Sequence, residues 1–469
     1  MPITRREFAS TLAGASLLRA DTNWNVLLIT NDQHRADCLV SAGNSVIRTP
    51  NLDRLAAEGL SFDKHFVQCP QCVPSRSALH TGRYPHVNRT PTNLYRLPPA
   101  EETLAAMLGR AGYVTACVGE LPFAPTKFLG GFQTVLASDA EYHAFQEAHG
   151  WRGSRLSPDR AALLGEHQAR SQRQFQASPV PWPEELDETA FHAAKAIEFL
   201  KADRHRPFFL HVNFRRPHHP FDPPAPFDRM YEGASFPPSH KRDGEMNNKP
   251  PQQRKALENS VGFDLRTMTA RDLDRIKSYY YGMISENDKY IGRIVSEVDE
   301  HTLVIFTSDH GEMLGDHGLL FKGGYFYDEV VRVPLILRAP TRLPAGQRVA
   351  RITEEIDVVP TVLEFLGMPI PERVQGRSLL RQQPSRAAHS EFPNIKMLRT
   401  EQWKLVHYLH APHGELYNLR EDPHELYNLY HDPSAAAARH EMESALIDWL
   451  IDSQDPLLKP IPADSEPRP

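Results

Sequence analysis

The chain has 469 residues, long enough for a large core and for more than one domain. Its formal net charge of -6, with both signs mixed throughout, offers no basic face for nucleic acid, and its four cysteines do not make a disulfide framework. No stretch approaches the ~20 consecutive apolar residues of a membrane span.

At the N-terminus, Thr4-Arg5-Arg6-Glu7-Phe8 precedes a short apolar run from Thr11 to Leu18 that ends at Arg19-Ala20. This has the architecture of a twin-arginine export signal, which implies a periplasmic or exported protein. The plainer reading is a basic helical N-terminus. Residues 1–22 are therefore left out of the fold.

Apolar, β-branched runs then recur as expected strands: Asn25 to Thr30, Tyr113 to Val118, Phe208 to Phe214 and Thr302 to Thr307. Helical patterns precede the last three, with Leu104, Met107 and Leu108 on one face, then Ala190 to Leu200, then Tyr280 to Val298. Helices alternating with near-continuous apolar strands predict an α/β fold, a large, mostly parallel sheet sandwiched by helices. Residues 135–185 and 222–268 lack periodicity and read as long insertions at the functional edge. Beyond about residue 340 the pattern changes. A short helix near Val358 to Leu366, strand-like pieces near Trp403 to Tyr408 and Glu415 to Leu419, and a helix over about Ala436 to Leu450 predict a smaller α+β subdomain. The expected division is 23–340 for the catalytic domain, 341–455 for the subdomain and 456–469 for a tail.

The chemistry concentrates after the strand ends, where open α/β sheets bind ligands. Asp32 and Gln33 follow the first strand, His218 and His219 the third, and Asp309-His310-Gly311-Glu312 the fourth, with Lys322 shortly after. Two carboxylates and an amide oxygen suit a hard divalent cation, and the histidine nitrogen admits softer ions. Taken singly, each residue has an ordinary reading as a cap, a surface histidine or a solvated lysine.

Cys72-Val73-Pro74-Ser75-Arg76 continues to Thr81-Gly82-Arg83. Pro74 suits a first helical turn, Ser75 and Ser77 are expected to satisfy free amides there, and Gly82 to end the helix. Cys72 then lies at a helix N-terminus that favours a developing oxyanion. Cys69-Pro70-Gln71-Cys72 also reads as a redox dithiol or half of a zinc site, and Cys72 alone as a buried structural cysteine.

The Cys-x-Pro-x-Arg motif with Thr-Gly-Arg resembles the signature of the formylglycine-dependent sulfatases of the alkaline phosphatase superfamily. The run from Ser308 to Gly318 is a second match. The resemblance extends from Asn25 to about Leu450, and Gln33 with His310 places it near the choline sulfatase and phosphonate monoester hydrolase branch. It implies a sulfuric ester hydrolase in which Cys72, oxidised by a formylglycine-generating enzyme, supplies the nucleophile toward a sulfated small molecule or glycan. It implies one divalent ion, Ca2+ by family default with Mn2+ or another ion open, held by Asp32, Gln33, Asp309, His310 and residue 72. Arg76 is implied to stabilise the spreading charge, Lys322 to contact the sulfate oxygens, and His218 to assist the leaving group or hold the ester oxygen. The family's usual Gly-Lys-x-His after the second strand is replaced by Gly119-Glu120-Leu121-Pro122. Asn93 stands where phosphonate monoester hydrolases place a pocket asparagine, while Glu120 is expected to meet a cationic substrate group or Lys127 to reach in. Phosphonate or phosphate ester hydrolysis, or a silent sulfated-glycan-binding fold, are the alternatives.

Overall fold

The computed structural model describes residues 24–123 and 128–454. The expected export signal, the 456–469 tail and Lys127 lie outside the described residues.

Among the described residues, nine strands form the main sheet: β1 (Asn25–Asp32), β2 (Leu60–Phe66), β3 (Val114–Gly119), β4 (Thr134–Leu136), β5 (Phe208–Pro217), β6 (Thr302–Ser308), β7 (Arg332–Val333), β8 (Leu335–Arg338) and β9 (Gln347–Glu354). Their order is β4-β3-β5-β1-β6-β8-β2-β7, with β9 also paired to β2. From β4 to β6 every pairing is parallel; β8 is antiparallel to both β6 and β2. The four strands expected from the apolar runs are the sheet's centre.

The helices used below are α1 (Pro50–Ala57), α2 (Cys72–Thr81), α3 (Leu104–Arg110), α4 (Asp139–Ala148), α5 (Pro158–Arg173), α6 (Glu188–Lys201), α7 (Pro251–Glu258), α8 (Ala270–Val295), α9 (Val358–Phe365) and α10 (Ala436–Asp452). Side chains on a strand alternate between faces, so a central strand needs apolar residues at every position. Val26, Leu28, Phe209 and Ile305 pack on one face with α3 and α9. Leu27, Ile29, Leu210, Val212, Val304 and Phe306 pack on the other with α6 and α8. Each such side chain contributes roughly 1.5–3 kcal/mol by burial.

A second sheet is antiparallel throughout: β10 (Ala388–Phe392), β11 (Ile395–Arg399), β12 (Trp403–Tyr408) and β13 (Gly414–Asn418), in that order. From α10, Met442, Leu446 and Trp449 pack with Leu398, Leu405 and Leu416 of this sheet. The expected division at residue 340 does not coincide with the break between sheets. β9 returns to the main sheet in parallel with β2, and α9 covers its face, so the main layer extends past Phe365. The smaller sheet begins only at Ala388.

The sequence reading missed the sheet's far edge, β2 with β7 to β9, because these strands are short or carry Asp, Lys and Arg on partly exposed faces. It also read residues 135–185 as irregular, whereas α4 and α5 occupy much of that stretch. No residue of α5 is buried, so it carries no apolar stripe for periodicity to reveal.

Candidate functional site

Parallel strands in register deliver their C-terminal ends to one level. Asn31 of β1 pairs with Ser308 of β6, and Asp32 pairs with Pro217 of β5. The residues that follow, Gln33, His218, Asp309 and His310, therefore meet at one edge. Gln33 leaves its strand at φ 71°, an uncommon value for a residue with a side chain. Its carbonyl accepts from the Tyr280 hydroxyl at 2.6 Å and its amide N–H donates to Asp309 Oδ1 at 3.1 Å.

Asp32, Cys72, Asp309 and His310 are all buried, and one donor atom from each lies within 4.8 Å of the others. Cys72 Sγ is 3.3 Å from His310 Nε2, and His310 Nε2 is 3.4 Å from Asp32 Oδ1. The Gly311 carbonyl, which can only accept, lies 2.9 Å from His310 Nδ1. The proton therefore sits on Nδ1 and Nε2 presents a lone pair to the cluster. Burial and the nearby Lys322 lower the His310 pKa, which keeps the ring neutral. Gln33 is oriented by Glu312, whose Oε2 accepts from the Gln33 side-chain amide, while Glu312 Oε1 accepts from the Leu314 N–H at 3.0 Å. Gln33 Oε1 is left buried with no hydrogen-bond partner. Two carboxylates, one imidazole nitrogen and residue 72 form a donor set that fits a divalent cation, and the unpartnered Gln33 Oε1, at the end of the same strand as Asp32, suits a further oxygen ligand.

Arg76 and Lys322 bring the positive charge. Arg76, only 2% exposed, donates to Asp309 Oδ2 at 2.9 Å and also pairs with Asp32 Oδ2. Its third contact is Glu120 Oε2 at 3.2 Å. Lys322 Nζ lies 3.0 Å from Cys72 Sγ and 3.7 Å from Asp32 Oδ1. Burial would raise the Asp32 carboxyl, but the Lys322 and Arg76 charges hold it below the usual carboxylate range. Burial and the Asp32 charge push the Cys72 thiol up to about 12, so the unmodified residue is a thiol and a weak nucleophile.

His218 stacks on His219 with ring centroids 4.1 Å apart, and its Nδ1 lies 2.5 Å from the His219 carbonyl. Burial and Lys322 lower its pKa to about 3, so the ring is neutral with a lone pair on Nε2. Glu120 follows Gly119, whose φ of 89° and closeness to the Asn213 carbonyl, 2.4 Å from an added Cβ, require glycine. The Glu120 carboxylate is half-exposed and engaged by Arg76, so its charge answers that guanidinium instead of standing free for a cationic ligand.

Two expectations for the helix carrying Cys72 are corrected. Ser75 donates to Glu355 Oε2 at 2.6 Å and Ser77 Oγ has no partner, so neither caps the first turn. Asn93 does that instead, with Oδ1 accepting from the Val73 N–H at 3.0 Å, which places Asn93 as a brace on the residue after Cys72. Gly82 ends the helix in the left-handed region, its N–H on the Ala78 carbonyl at 2.8 Å. The four cysteines are unbridged, and Cys69 is not part of the Cys72 donor cluster. The supporting roles of Glu312, Glu355 and His219 escaped the sequence reading; only the position of Glu312 in the Ser308 to Gly318 motif signalled it.

Beside His218 opens a cavity of about 240 Å³, lined among others by Tyr142, Glu188, Arg215 and Asp222. It shares Gln146, Trp182 and Pro220 with a larger cleft of about 710 Å³ lined by Trp151, Gln168, Gln172 and Phe263. α4, α5 and the loop after α7 thus build the approach to the site.

The family model described as Sulfatase matches residues 24–368, and the one described as N-sulphoglucosamine sulphohydrolase, C-terminal, matches residues 315–451. The multifunctional alkaline phosphatase superfamily protein PehA of Trinickia caryophylli is 31% identical, over 92% of this chain and 96% of its own. An arylsulfatase of Clostridium perfringens is 30% identical, over 76% and 77%. The crystal structure of a phosphonate monoester hydrolase of Agrobacterium radiobacter superposes with a TM-score of 0.82 at 30% identity, covering 93% of this chain and 97% of that one. With a family match across nearly three quarters of its length and a superposable fold, the chain belongs to the sulfatase family of the alkaline phosphatase superfamily.

Proposed function

We propose that the protein is a metal-dependent hydrolase of sulfate esters, with a nucleophile made from Cys72. One observation carries the reading: Cys72 Sγ, at the first turn of a buried helix, sits 3.0 Å from Lys322 Nζ and 3.3 Å from His310 Nε2, beside two carboxylates and an unpartnered amide oxygen. Oxidised to formylglycine, residue 72 would supply a hydrated aldehyde in place of an inert thiol. A divalent cation, Ca2+ or Mn2+, held by Asp32, Gln33, Asp309 and His310 would supply Lewis-acid charge stabilisation.

The chain's own residues supply the remainder. Lys322, 3.0 Å from Cys72 Sγ, would meet a sulfuryl oxygen as it gathers charge, and Arg76 fixes Asp32 and Asp309 beside residue 72. Neutral His218, with its Nε2 lone pair, can accept a hydrogen bond from a reacting hydroxyl, and the resemblance gives it the place beside the leaving group. The cavity beside it takes the alcohol portion of the ester.

Phosphonate monoesters are the second substrate class. Glu120 stands where a sulfatase usually carries a cation, and the fold superposes on a phosphonate monoester hydrolase. Export through Arg5-Arg6 belongs to the same reading; fractionation of cells expressing the Arg5→Lys, Arg6→Lys double variant tests it, and unchanged export would count against it.

The test is steady-state kinetics on enzyme co-expressed with a formylglycine-generating enzyme, using aryl sulfate and aryl phosphonate monoesters. Turnover of either, lost in Cys72→Ala, supports the hydrolase reading. Silence on both with retained binding of sulfated glycans would replace it with a binding function.

A further inference from the structure

A second group of ligating side chains lies apart from the Cys72 cluster and shares no residue with it: His240, Glu329 and His424, one donor atom from each within 4.8 Å of the others. They come from three distant parts of the chain. His240 belongs to the long segment between β5 and α8, Glu329 to the short helix Asp328–Val331, and His424 to the turn after β13. We propose that these three residues form a second metal site, for a borderline cation of the Zn2+ class, that ties the insertion and the C-terminal subdomain to the loop carrying Asp309 and His310.

Glu329 Oε2 is buried without a hydrogen-bond partner. The charge beside it is mostly of its own sign. Asp316 is nearby and is answered by Arg35 at 2.7 Å, and Arg35 is already shared with Asp37. A carboxylate in that position gains most from a cation brought to it.

The imidazoles of His240 and His424 stand face to face, ring centroids 3.5 Å apart and 10° from parallel. One donor atom of each ring lies within 4.8 Å of a Glu329 oxygen, and a turn of the His424 ring out of the stack would bring its lone pair toward a shared ion. Asp316 Oδ1, 3.5 Å from His240 Nδ1, offers a fourth donor or a partner for a bound water. Two imidazole nitrogens and one carboxylate select Zn2+ and its neighbours over Ca2+. The oxygen-rich cluster at Asp32 differs in kind.

The backbone shows what the ion would hold. The Glu312 N–H donates to the Glu329 carbonyl at 3.1 Å and the Gly311 N–H to the Val330 carbonyl at 2.7 Å. Gly311 has no room for a side chain, because an added Cβ would stand 2.0 Å from the Glu329 carbonyl. Fixing Glu329 from outside thus fixes the strip against which the Asp309–Glu312 loop is laid. The role is structural: no substrate contact is implied.

The experiment titrates the full-length protein, stripped by chelation and held in excess Ca2+, with Zn2+ alone by calorimetry, and follows Tm. The parent protein is expected to take one equivalent of Zn2+ and to gain Tm. His424→Ala, at an exposed position, and His240→Ala are expected to bind at least ~10-fold more weakly and to lose the Tm gain. Asp309→Ala is expected to keep both, which separates this site from the catalytic one. Failure of the parent to bind Zn2+, or equal binding and equal Tm gain in His424→Ala, would overturn the proposal.

Discussion

Replacing Lys322 by Met keeps the length of the side chain and removes only the ammonium. In the structure, Nζ stands 3.0 Å from Cys72 Sγ, the atom that marks where the nucleophile and its bound ester meet. A unit anion at that separation gains about 5.5 kcal/mol at an effective dielectric of ~20. Part of that is already realised with Asp32, 3.7 Å away, in the resting protein. What remains for the transition state is of the size of one preorganised electrostatic contact, about 2.7–4 kcal/mol, or ~10²- to 10³-fold in kcat. The fold should survive, because Arg76 still bridges Asp32 and Asp309. The assay is kcat and KM with an aryl sulfate and an aryl phosphonate, alongside Tm and metal content. A drop in kcat with Tm held within a few degrees is the expected result. A change below ~3-fold in kcat, with formylglycine and metal intact, would show that the ammonium does not face the reacting group and would refute the assignment.

Cys72→Ala should abolish turnover without unfolding the chain, and the peptide carrying Cys72 in active enzyme should show an aldehyde by mass spectrometry; a free thiol in fully active protein contradicts the nucleophile. Asp309→Ala should lose about one divalent ion per chain by elemental analysis and at least ~10²-fold in kcat/KM, since the charge it contributes is spent on the transition state. Glu120→Gln frees the Arg76 edge it engages at 3.2 Å, and for a half-exposed pair worth ~0.2–1 kcal/mol the KM for an anionic ester should fall by up to ~5-fold, less at high salt; an unchanged KM means that edge does not meet the substrate. Away from the site, burial would raise the Glu354 carboxyl, but Arg386 at 2.7 Å and His389 bring it from 4.5 to about 2. A lowered carboxyl stabilises the fold fully above the unfolded value and loses that contribution as pH falls toward 2. Acid unfolding of Glu354→Gln should accordingly be flatter between pH 4.5 and 2 than in the parent; superimposable curves would remove Glu354 from the account.

The sheet's centre and the chemistry at its edge are legible in the local amino-acid pattern. Short continuous apolar runs at Asn25, Val114, Phe208 and Thr302, rich in β-branched residues and alternating with helices, fit strands buried on both faces, and parallel strands bring their C-terminal ends together. Asp32, Gln33, Asp309 and His310 were therefore legible as neighbours before any coordinates. Cys72 and Gly82 likewise marked the two ends of one helix. Tertiary structure decided what those residues face. Asn93 braces the Val73 amide, Ser75 turns to Glu355, and Glu120 spends its charge on Arg76, because each partner arrives from a distant segment whose position no local pattern encodes. The far edge of the sheet was hidden for a related reason: β2 and β9 are polar on the side that solvent reaches, so only their pairing across 287 residues from Leu60 to Gln347 makes them strands. The same holds for His240, Glu329 and His424, three unremarked positions that become one site only when the chain closes on itself.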